Sequence, residues 1–576
     1  MTDYDFRQWI ALKAMIGNTA TMCPTIGGFA KLNKSTLISK TTSTKTIDVS
    51  TTSGTVRGHT IRVLNTDIYE FLNIPYAEPP VGSLRFAKPV PIQTPKTSII
   101  DGTKNGNCCV LSVDENTRKQ YEIVNNYKES EDCLTLVVWT SGVDTGAKHD
   151  DDQLKPVLFH IHGGGLSTGT AYDPIFNVSI QSTYDIVVVS INYRLGPFGF
   201  LYGGEPSAPG NVGFYDQLLA LQWVRDNIQQ FGGDKNKITL MGISGGSWSI
   251  SAQILSPLSK GLFQRAIMQS GAELYNKDRP VLSTEEGLEK AKNLAKKVGC
   301  DPYDYHWLDC MRQVSDVNLF RDVPENGEFT LMTYPVFGTE FLPQLPQKAF
   351  KNNLYNSGIQ LIAGITRDEG TLMAIMEYPH IIQGISSVES FRKLLDKVNN
   401  RFHNLDVKQL EDYYLDIDVI DRENPIVLRD QFLKLYGDLA MSCPTYRFAK
   451  HMVQDIAGAD NDVYFYLFNY TTNQGVIGEL MTQWFTDIVP HGADIDLTFG
   501  DPLRYPNLYK ELDYDFTLDL LKIWTNFIKY GKPSNDWPKF DINNLKVREL
   551  NPHNSEARVL DNLFERTCDG VWSNYF

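Results

Sequence analysis

Ile238-Thr-Leu-Met241 is an apolar run that leads without a break into Gly242-Ile243-Ser244-Gly245-Gly246, after which Gly246 to Leu255 reads as a helix. A strand that turns through G-x-S-x-G into a helix is the setting in which a serine hydroxyl is forced out of the backbone as a nucleophile. The pentapeptide alone is weak, because Gly and Ser are ordinary turn residues. Its neighbour upstream strengthens it. Pro156-Val-Leu-Phe-His-Ile161 reads as a buried strand and opens directly into His162-Gly163-Gly164-Gly165, where the glycines lack Cβ and consecutive N–H groups can converge on one point. Such a loop has the form of an oxyanion hole.

On a strand–turn–helix element of this kind the acid and the base follow the serine in that order. Six histidines lie downstream of Ser244. His403 and His451 fall in polar helix-like stretches and His306 between two cysteines, so solvated positions account for them; His380 and His553 border Pro-containing loops with no glycine turn. His491 sits between Pro490 and Gly492, in a loop joining Trp484–Val489 to Ile495–Phe499, where a side chain can be aimed. For the acid, the apolar strand Ile359 to Ile365 ends in Thr366-Arg367-Asp368-Glu369-Gly370. Carboxylates at the carboxyl end of a strand stand where open α/β sheets place their chemistry. Helix capping explains the same acids equally well, and physics alone does not choose between Asp368 and Glu369.

Ser130-Glu-Asp-Cys-Leu134, Asn192-Tyr-Arg-Leu-Gly196, Gly210-Asn-Val-Gly-Phe-Tyr-Asp-Gln217, Phe231-Gly-Gly-Asp234 and Gln269-Ser-Gly271 resemble the successive signature blocks of the type-B carboxylesterase and cholinesterase family. The resemblance runs from about Ile47 to the C-terminus, and Ile254 to Leu262 is similar to the arthropod branch. It implies an α/β-hydrolase fold and a serine hydrolase that cleaves carboxylic esters through an acyl-enzyme on Ser244. It implies Glu369 as the triad acid, His491 as the base, and Ser270 as the serine that supports them. The amides of Gly164, Gly165 and Gly245 are then the expected oxyanion donors.

Three positions depart from that family. Ile243 stands where glutamate usually precedes the nucleophile, and Gly245 where alanine usually follows it. Counting back from Ser130-Glu-Asp-Cys133 places Ile123 where cholinesterases carry a tryptophan that stacks on quaternary ammonium, and an aliphatic side chain offers no cation–π face. A neutral, mostly apolar ester is therefore expected rather than a choline ester. Two alternatives share the scaffold: a slow-turnover protein that sequesters esters or organophosphates, to which Ile243 lends support, and a non-catalytic interaction protein, of which this chain shows neither the triad loss nor the transmembrane tail.

Composition bounds the rest. The chain has 576 residues, 42% of them apolar, and no continuous apolar run near the roughly 18 that cross a bilayer. Its formal charge of −15 argues against nucleic acid and anionic membranes as partners; the partner the resemblance implies is a small-molecule ester. Ser244, Glu369 and His491 come from widely spaced segments that must meet, so residues 47–576 are expected to form one domain behind a poorly ordered extension, 1–46. The polar stretch Lys34–Ser53 reads as loosely attached. Strand-like runs at Thr55–Leu64, Leu134–Trp139, Pro156–Ile161, Ile186–Asn192, Ile238–Met241, Arg265–Gln269, Ile359–Ile365 and Val463–Phe468 alternate with helix-like segments such as Phe214–Phe231. That alternation predicts an α/β fold with a large, mainly parallel central sheet flanked by helices.

Eight cysteines bear on the compartment. The resemblance implies disulfides joining Cys300 to Cys310, Cys133 to Cys108 or Cys109, and Cys443 to Cys568, with Cys23 and the unused member of Cys108 and Cys109 available for a fourth. A metal site is not expected, since no cysteine pair has C-x-x-C spacing with matching histidines, and no cofactor is implied. Disulfides and the sequons at Asn33, Asn177 and Asn469 favour a secreted glycoprotein; the start Met1-Thr-Asp-Tyr-Asp-Phe-Arg is a poor signal peptide and favours the cytoplasm. Oligomeric state is not legible.

Overall fold

The computed structural model describes residues 45–576 apart from 114–117, 119–127, 144–153, 322–332, 417–419, 455–461, 473, 482–483 and 555–556. Fifteen strands are formed among the described residues: β1 Thr46–Thr51, β2 Gly54–Val63, β3 Thr66–Pro75, β4 Lys96–Asp101, β5 Thr135–Thr140, β6 Lys155–Ile161, β7 Val187–Ile191, β8 Tyr202–Glu205, β9 Ala208–Pro209, β10 Gly233–Ile243, β11 Arg265–Gln269, β12 Gln360–Thr366, β13 Val463–Phe468, β14 Lys546–Leu550 and β15 Val559–Asp561. All but the β8–β9 hairpin belong to one 13-stranded sheet in the order β1-β2-β3-β5-β7-β6-β10-β11-β12-β13-β14-β15, with β4 beside β2. From β7 to β14 every pairing is parallel. The flanks at β1-β2-β3-β5-β7 and β14-β15 are antiparallel.

The division follows from the sequence. β7 is Val-Val-Val-Ser-Ile and wholly buried, as a strand covered on both faces must be. The flanking β1 and β2 alternate buried with partly exposed residues, as antiparallel strands with one wet face do. This explains which strands the periodicity found. The central parallel strands stand out as apolar runs, and Thr55–Leu64 and Leu134–Trp139, the antiparallel β2 and β5, also read as strands, whereas β1, β3, β4, β14 and β15 carry too many polar residues to be read as strands.

Helices cover the sheet. Those that position the site are α1 Val212–Asn227, α2 Gly245–Leu255, α3 Gly370–Glu377, α4 Pro425–Gly437, α5 Cys443–Gln454, α6 Ile495–Phe499 and α7 Glu511–Tyr530. In α1 the residues Phe214, Leu218, Leu221 and Val224 are buried, as its apolar stripe requires. Helices α3 and α4 meet so closely that a Cβ on Gly370 would lie 1.8 Å from the Leu433 carbonyl oxygen.

Two readings need correction. The stretch Lys34–Ser53 is not loose throughout: Thr46–Thr51 pairs with β2 from Thr46↔His59 to Thr51↔Gly54, and Val49 is buried. Its β-branched Thr and Val residues favour an edge strand, which a purely compositional reading hides. Thr46 thus belongs to the sheet rather than to the extension, and residues 1–44 lie outside the described part. His451 is also not a solvated surface residue; its ring stacks on Phe350 at 5.0 Å between centroids, and its Nε2 is buried. His403 is half-buried against the Val281 carbonyl oxygen at 3.2 Å. His306 is exposed, as expected, and His380 and His553 are exposed too.

The disulfides are Cys109–Cys133, Cys300–Cys310 and Cys443–Cys568. Cys109, not Cys108, is therefore the partner of Cys133; Cys108 is buried beside it, and Cys23 lies outside the described residues. No helix among the described residues is long and apolar enough to cross a membrane.

Candidate active site

The strand order reverses direction at β6, which has β7 on one side and β10 on the other. Carboxyl ends of strands at such a switch point diverge and leave a crevice. Both glycine motifs open there. β6 and β10 are in register from Ile238↔Val157 to Gly242↔Ile161, so His162–Gly165 and Ser244 leave the sheet side by side.

Ser244 takes φ 56° and ψ −122°, a conformation that L-residues rarely adopt, and it stands at the head of α2 with Trp248 N bonded to its carbonyl. The flanking glycines make the turn possible. A Cβ on Gly246 would lie 2.1 Å from the Ile161 carbonyl oxygen, and one on Gly242 would lie 2.7 Å from the Gly246 carbonyl carbon. Helix α2 therefore starts tight against β6, with its first amides, Gly245 among them, open to an anion. Ser244 is half-buried, and its hydroxyl has no hydrogen-bond partner among the described residues.

Across the crevice Gly164 and Gly165 have φ +109° and +61°, values that suit glycine. Gly164 O accepts the amides of Ser167 and Thr168, and Gly165 O accepts Thr333 N at 2.8 Å, so both carbonyls point away from the serine. A Cβ on residue 245 would lie 2.9 Å from both Gly165 N and Leu166 N. Glycine at 245 is what allows the loop to sit this close. Beneath it, His160 and His162 are fully buried, which pushes their imidazoles down to about 3 and about 4 and keeps them neutral. His162 Nδ1 donates to Gly163 O at 2.9 Å, and its ring stacks on Tyr193.

The acid and base come from β12 and the long connection after β13. Glu369 Oε2 lies 2.6 Å from His491 Nδ1, while Oε1 accepts Ser270 Oγ at 2.5 Å and Thr366 N at 2.7 Å. The carboxylate is buried at 1% exposure and His491 at 6%. Ser270 directly follows β11, and Ser244 N donates to Gln269 O, so the serine turn and the acid are carried on neighbouring strand ends. The structure thus decides between the two adjacent acids. Asp368 faces the other way, accepting Arg367 Nε and Val489 N at 2.8 and 2.9 Å.

Sequence reasoning missed a second buried carboxylate. Asp494, at the head of α6, accepts Gln269 Nε2 at 2.9 Å and Tyr466 OH at 3.4 Å. Burial, aided by nearby Glu369, pushes its carboxyl up to about 6. The signal available was its place in His491-Gly-Ala-Asp494, three residues from the chosen base. Ile243 is buried at 1% exposure and brings no charge to the turn, whereas Ile123 lies outside the described residues.

A glycine-flanked serine at a switch point, faced by an oxyanion-type loop and a carboxylate–imidazole pair, on a mainly parallel sheet clad with helices, defines the α/β-hydrolase fold. Residues 44–570 match the model of the carboxylesterase family, and the chain belongs to that family. Its relatives include the cholinesterase of Mus musculus, 32% identical over 92% of this chain and 86% of that protein. They also include acetylcholinesterase-1 of Trittame loki, 31% identical over 92% and 94%, and the acetylcholinesterase of Bungarus fasciatus, 32% identical over 88% and 83%. The protein is a carboxylic ester hydrolase.

Proposed function

We propose that Ser244, Glu369 and His491 are the catalytic triad, and that the enzyme hydrolyses neutral, mostly apolar esters through an acyl-enzyme on Ser244. The 2.6 Å bond from Glu369 to His491 carries this reading. With the proton on Nδ1 held by the carboxylate, Nε2 is the free base that takes the Ser244 proton as Oγ attacks the ester carbonyl. The same imidazolium then protonates the leaving alcohol, and in the second half-reaction it activates water to release the acid. The amides of Gly164, Gly165 and Gly245 bind the tetrahedral oxyanion. Ser270, Thr366 N and burial hold Glu369 in one orientation. The Ser244 hydroxyl reaches Nε2 by side-chain rotation as substrate seats, in keeping with the loose catalytic hydrogen bonds of unliganded hydrolases.

Preference against choline esters rests on the uncharged, buried Ile243 beside the nucleophile and on Ile123. The disulfides support folding in an oxidising compartment, hence secretion, and residues from Thr46 onward act as one unit. Of the sequons, Asn469 spends its amide on Glu549 and Arg367, so Asn177 is the better glycan acceptor of the two described. Ile243 also favours a second reading, slow turnover with the acyl group retained.

The test is labelling with a fluorophosphonate followed by peptide mapping, together with burst kinetics on p-nitrophenyl butyrate. Label on Ser244 with sustained turnover is expected. A stoichiometric burst with negligible steady state would favour sequestration, and full turnover by Ser244→Ala would refute the assignment.

A further inference from the structure

One wall beside Ser244 holds buried polar side chains that bond to no described residue. Trp248 Nε1, both carboxyl oxygens of Glu273 and the Tyr275 hydroxyl lack hydrogen-bond partners among the described residues, although these residues are 1%, 0% and 4% exposed. Native interiors leave only a few such groups per hundred residues unpaired, and three neighbouring ones beside a nucleophile mark a place suited to a polar atom.

The chain brings them to one side of α2. Ser247 Oγ donates to Gly271 O at 2.6 Å and Ser251 Oγ accepts Glu273 N at 2.8 Å, which lays residues 271–273 along the face that carries Trp248. Gly271, at φ +136°, lets the indole pack close against the backbone: a Cβ there would lie 2.8 Å from Trp248 Nε1 and 3.2 Å from Ser244 O. The indole therefore adjoins the nucleophile. It lies 6.4 Å from the Tyr334 ring, which meets Tyr275 edge-on at 6.0 Å. Tyr334 follows Thr333, whose amide is bound to Gly165 O, so the same wall abuts the oxyanion loop. With the carbonyl oxygen held by that loop and the leaving alcohol at His491, the substituent that faces this wall is the acyl chain.

Its chemistry narrows the ligand. Burial raises the Glu273 carboxyl well above the usual range, so it is held as the neutral acid, both donor and acceptor. Trp248 donates only, and Tyr275 does either. Arg401, which hydrogen-bonds to Tyr334 of this wall and to Tyr436, is engaged by Glu377, and its charge disfavours a second cation here. A neutral group that both donates and accepts fits all three side chains.

We infer that Glu273, with Trp248 and Tyr275, selects esters whose acyl chain carries a neutral hydroxyl group. The inference rests on the esterase reading above and specifies its substrate class. A site built to bond a hydroxyl rejects the analogue that lacks it, because its own polar groups are then left unpaired.

The test compares p-nitrophenyl 3-hydroxybutyrate with p-nitrophenyl butyrate, which share a leaving group, on the full-length protein. We expect kcat/KM to favour the hydroxy ester by about tenfold or more. In Glu273→Leu the ratio of the two should fall to near one, and Glu273→Gln, which still donates and accepts, should restore part of it. Equal kcat/KM in the wild type, or an unchanged ratio in a folded Glu273→Leu, would overturn the inference. Fluorophosphonate labelling of Ser244 on the same samples separates the two failures. Labelled protein without discrimination sinks the hydroxyl subsite alone, and protein that neither labels nor cleaves either ester sinks the esterase reading with it.

Discussion

Asp368 and Pro490 form a parallel backbone bridge, so the residue before Glu369 is fastened to the residue before His491. Asp368 N donates to Val489 O and Val489 N returns to the Asp368 carboxylate, each at 2.9 Å. The acid–base pair is thus aligned by its neighbours before its own hydrogen bond forms. Replacing Asp368 by Ala removes the side-chain half of this clasp and lets the histidine loop shift. On the proposed mechanism kcat should fall on the order of 10²-fold, the usual cost of a small misplacement, with little change in KM. Glu369→Gln, which spoils the tautomer itself, should cost about 10⁴-fold. Steady-state kinetics of both variants checks the order.

Gly245→Ala restores the residue common in the family and should nonetheless impair this enzyme. The new Cβ meets Gly165 N and Leu166 N at 2.9 Å, so the loop must retreat from the oxyanion position. The expected loss is up to about 10²-fold in kcat, the lower end of what removing one donor costs. The melting temperature should barely change. Wild-type kcat in this variant would show that the loop does not set the oxyanion geometry. Proline at 164 or 165 is a poorer probe, since φ +109° and +61° exclude it on conformation alone.

The buried histidines under that loop should make the fold acid-sensitive. In the unfolded chain His162 takes up a proton as pH falls through its ordinary 6.5, whereas in the fold it resists until about 4. Its contribution is therefore fully present above pH 6.5 and lost as pH falls toward 4, amounting to about 3 kcal/mol by proton linkage. Asp173 and Asp494, raised to about 6 by burial, act in the opposite sense over an overlapping range. The difference between proteins is thus the cleaner reading. Relative to wild type, His162→Asn should gain stability progressively from pH 7 to 4 in denaturant titrations.

The three disulfides should not be equal. Cys443–Cys568 closes a separation of 125 residues and Cys300–Cys310 one of 10. Loop-closure entropy predicts losses of about 5 and about 3 kcal/mol when the bridges are removed by paired Cys→Ser substitution. Chemical denaturation of the two double variants should reproduce that ranking.

The parallel half of the sheet was legible because strands covered on both faces, such as β7 and β12, must be continuously apolar. Of the antiparallel flank, β2 and β5 were legible but β1 and β3 were not, since they keep one wet face and resemble loops in composition. His491 stood out for its Pro–Gly setting. Glu369 could be separated from Asp368 only through family resemblance, because both acids follow the same strand and differ only in which way the turn aims them. Trp248 and Glu273 gave no clear signal, and Asp494 only its place three residues after His491, as each owes its significance to partners elsewhere in the chain.

The sequence by itself determined the central apolar strands and the helix after Ser244, the glycine turns around Ser244 and Gly163–Gly165, and the segments from which an acid and a base could come. These are local properties: periodicity, missing Cβ atoms and fixed torsions act within a few residues. The tertiary structure alone decided which carboxylate meets the imidazole, which of two adjacent cysteines pairs with Cys133, and which buried polar groups beside the serine lack a partner among the described residues. The meeting of Glu369 with His491 joins residues 122 apart, and Cys109 with Cys133 residues 24 apart, and only the packed fold sets which atoms face each other at either range.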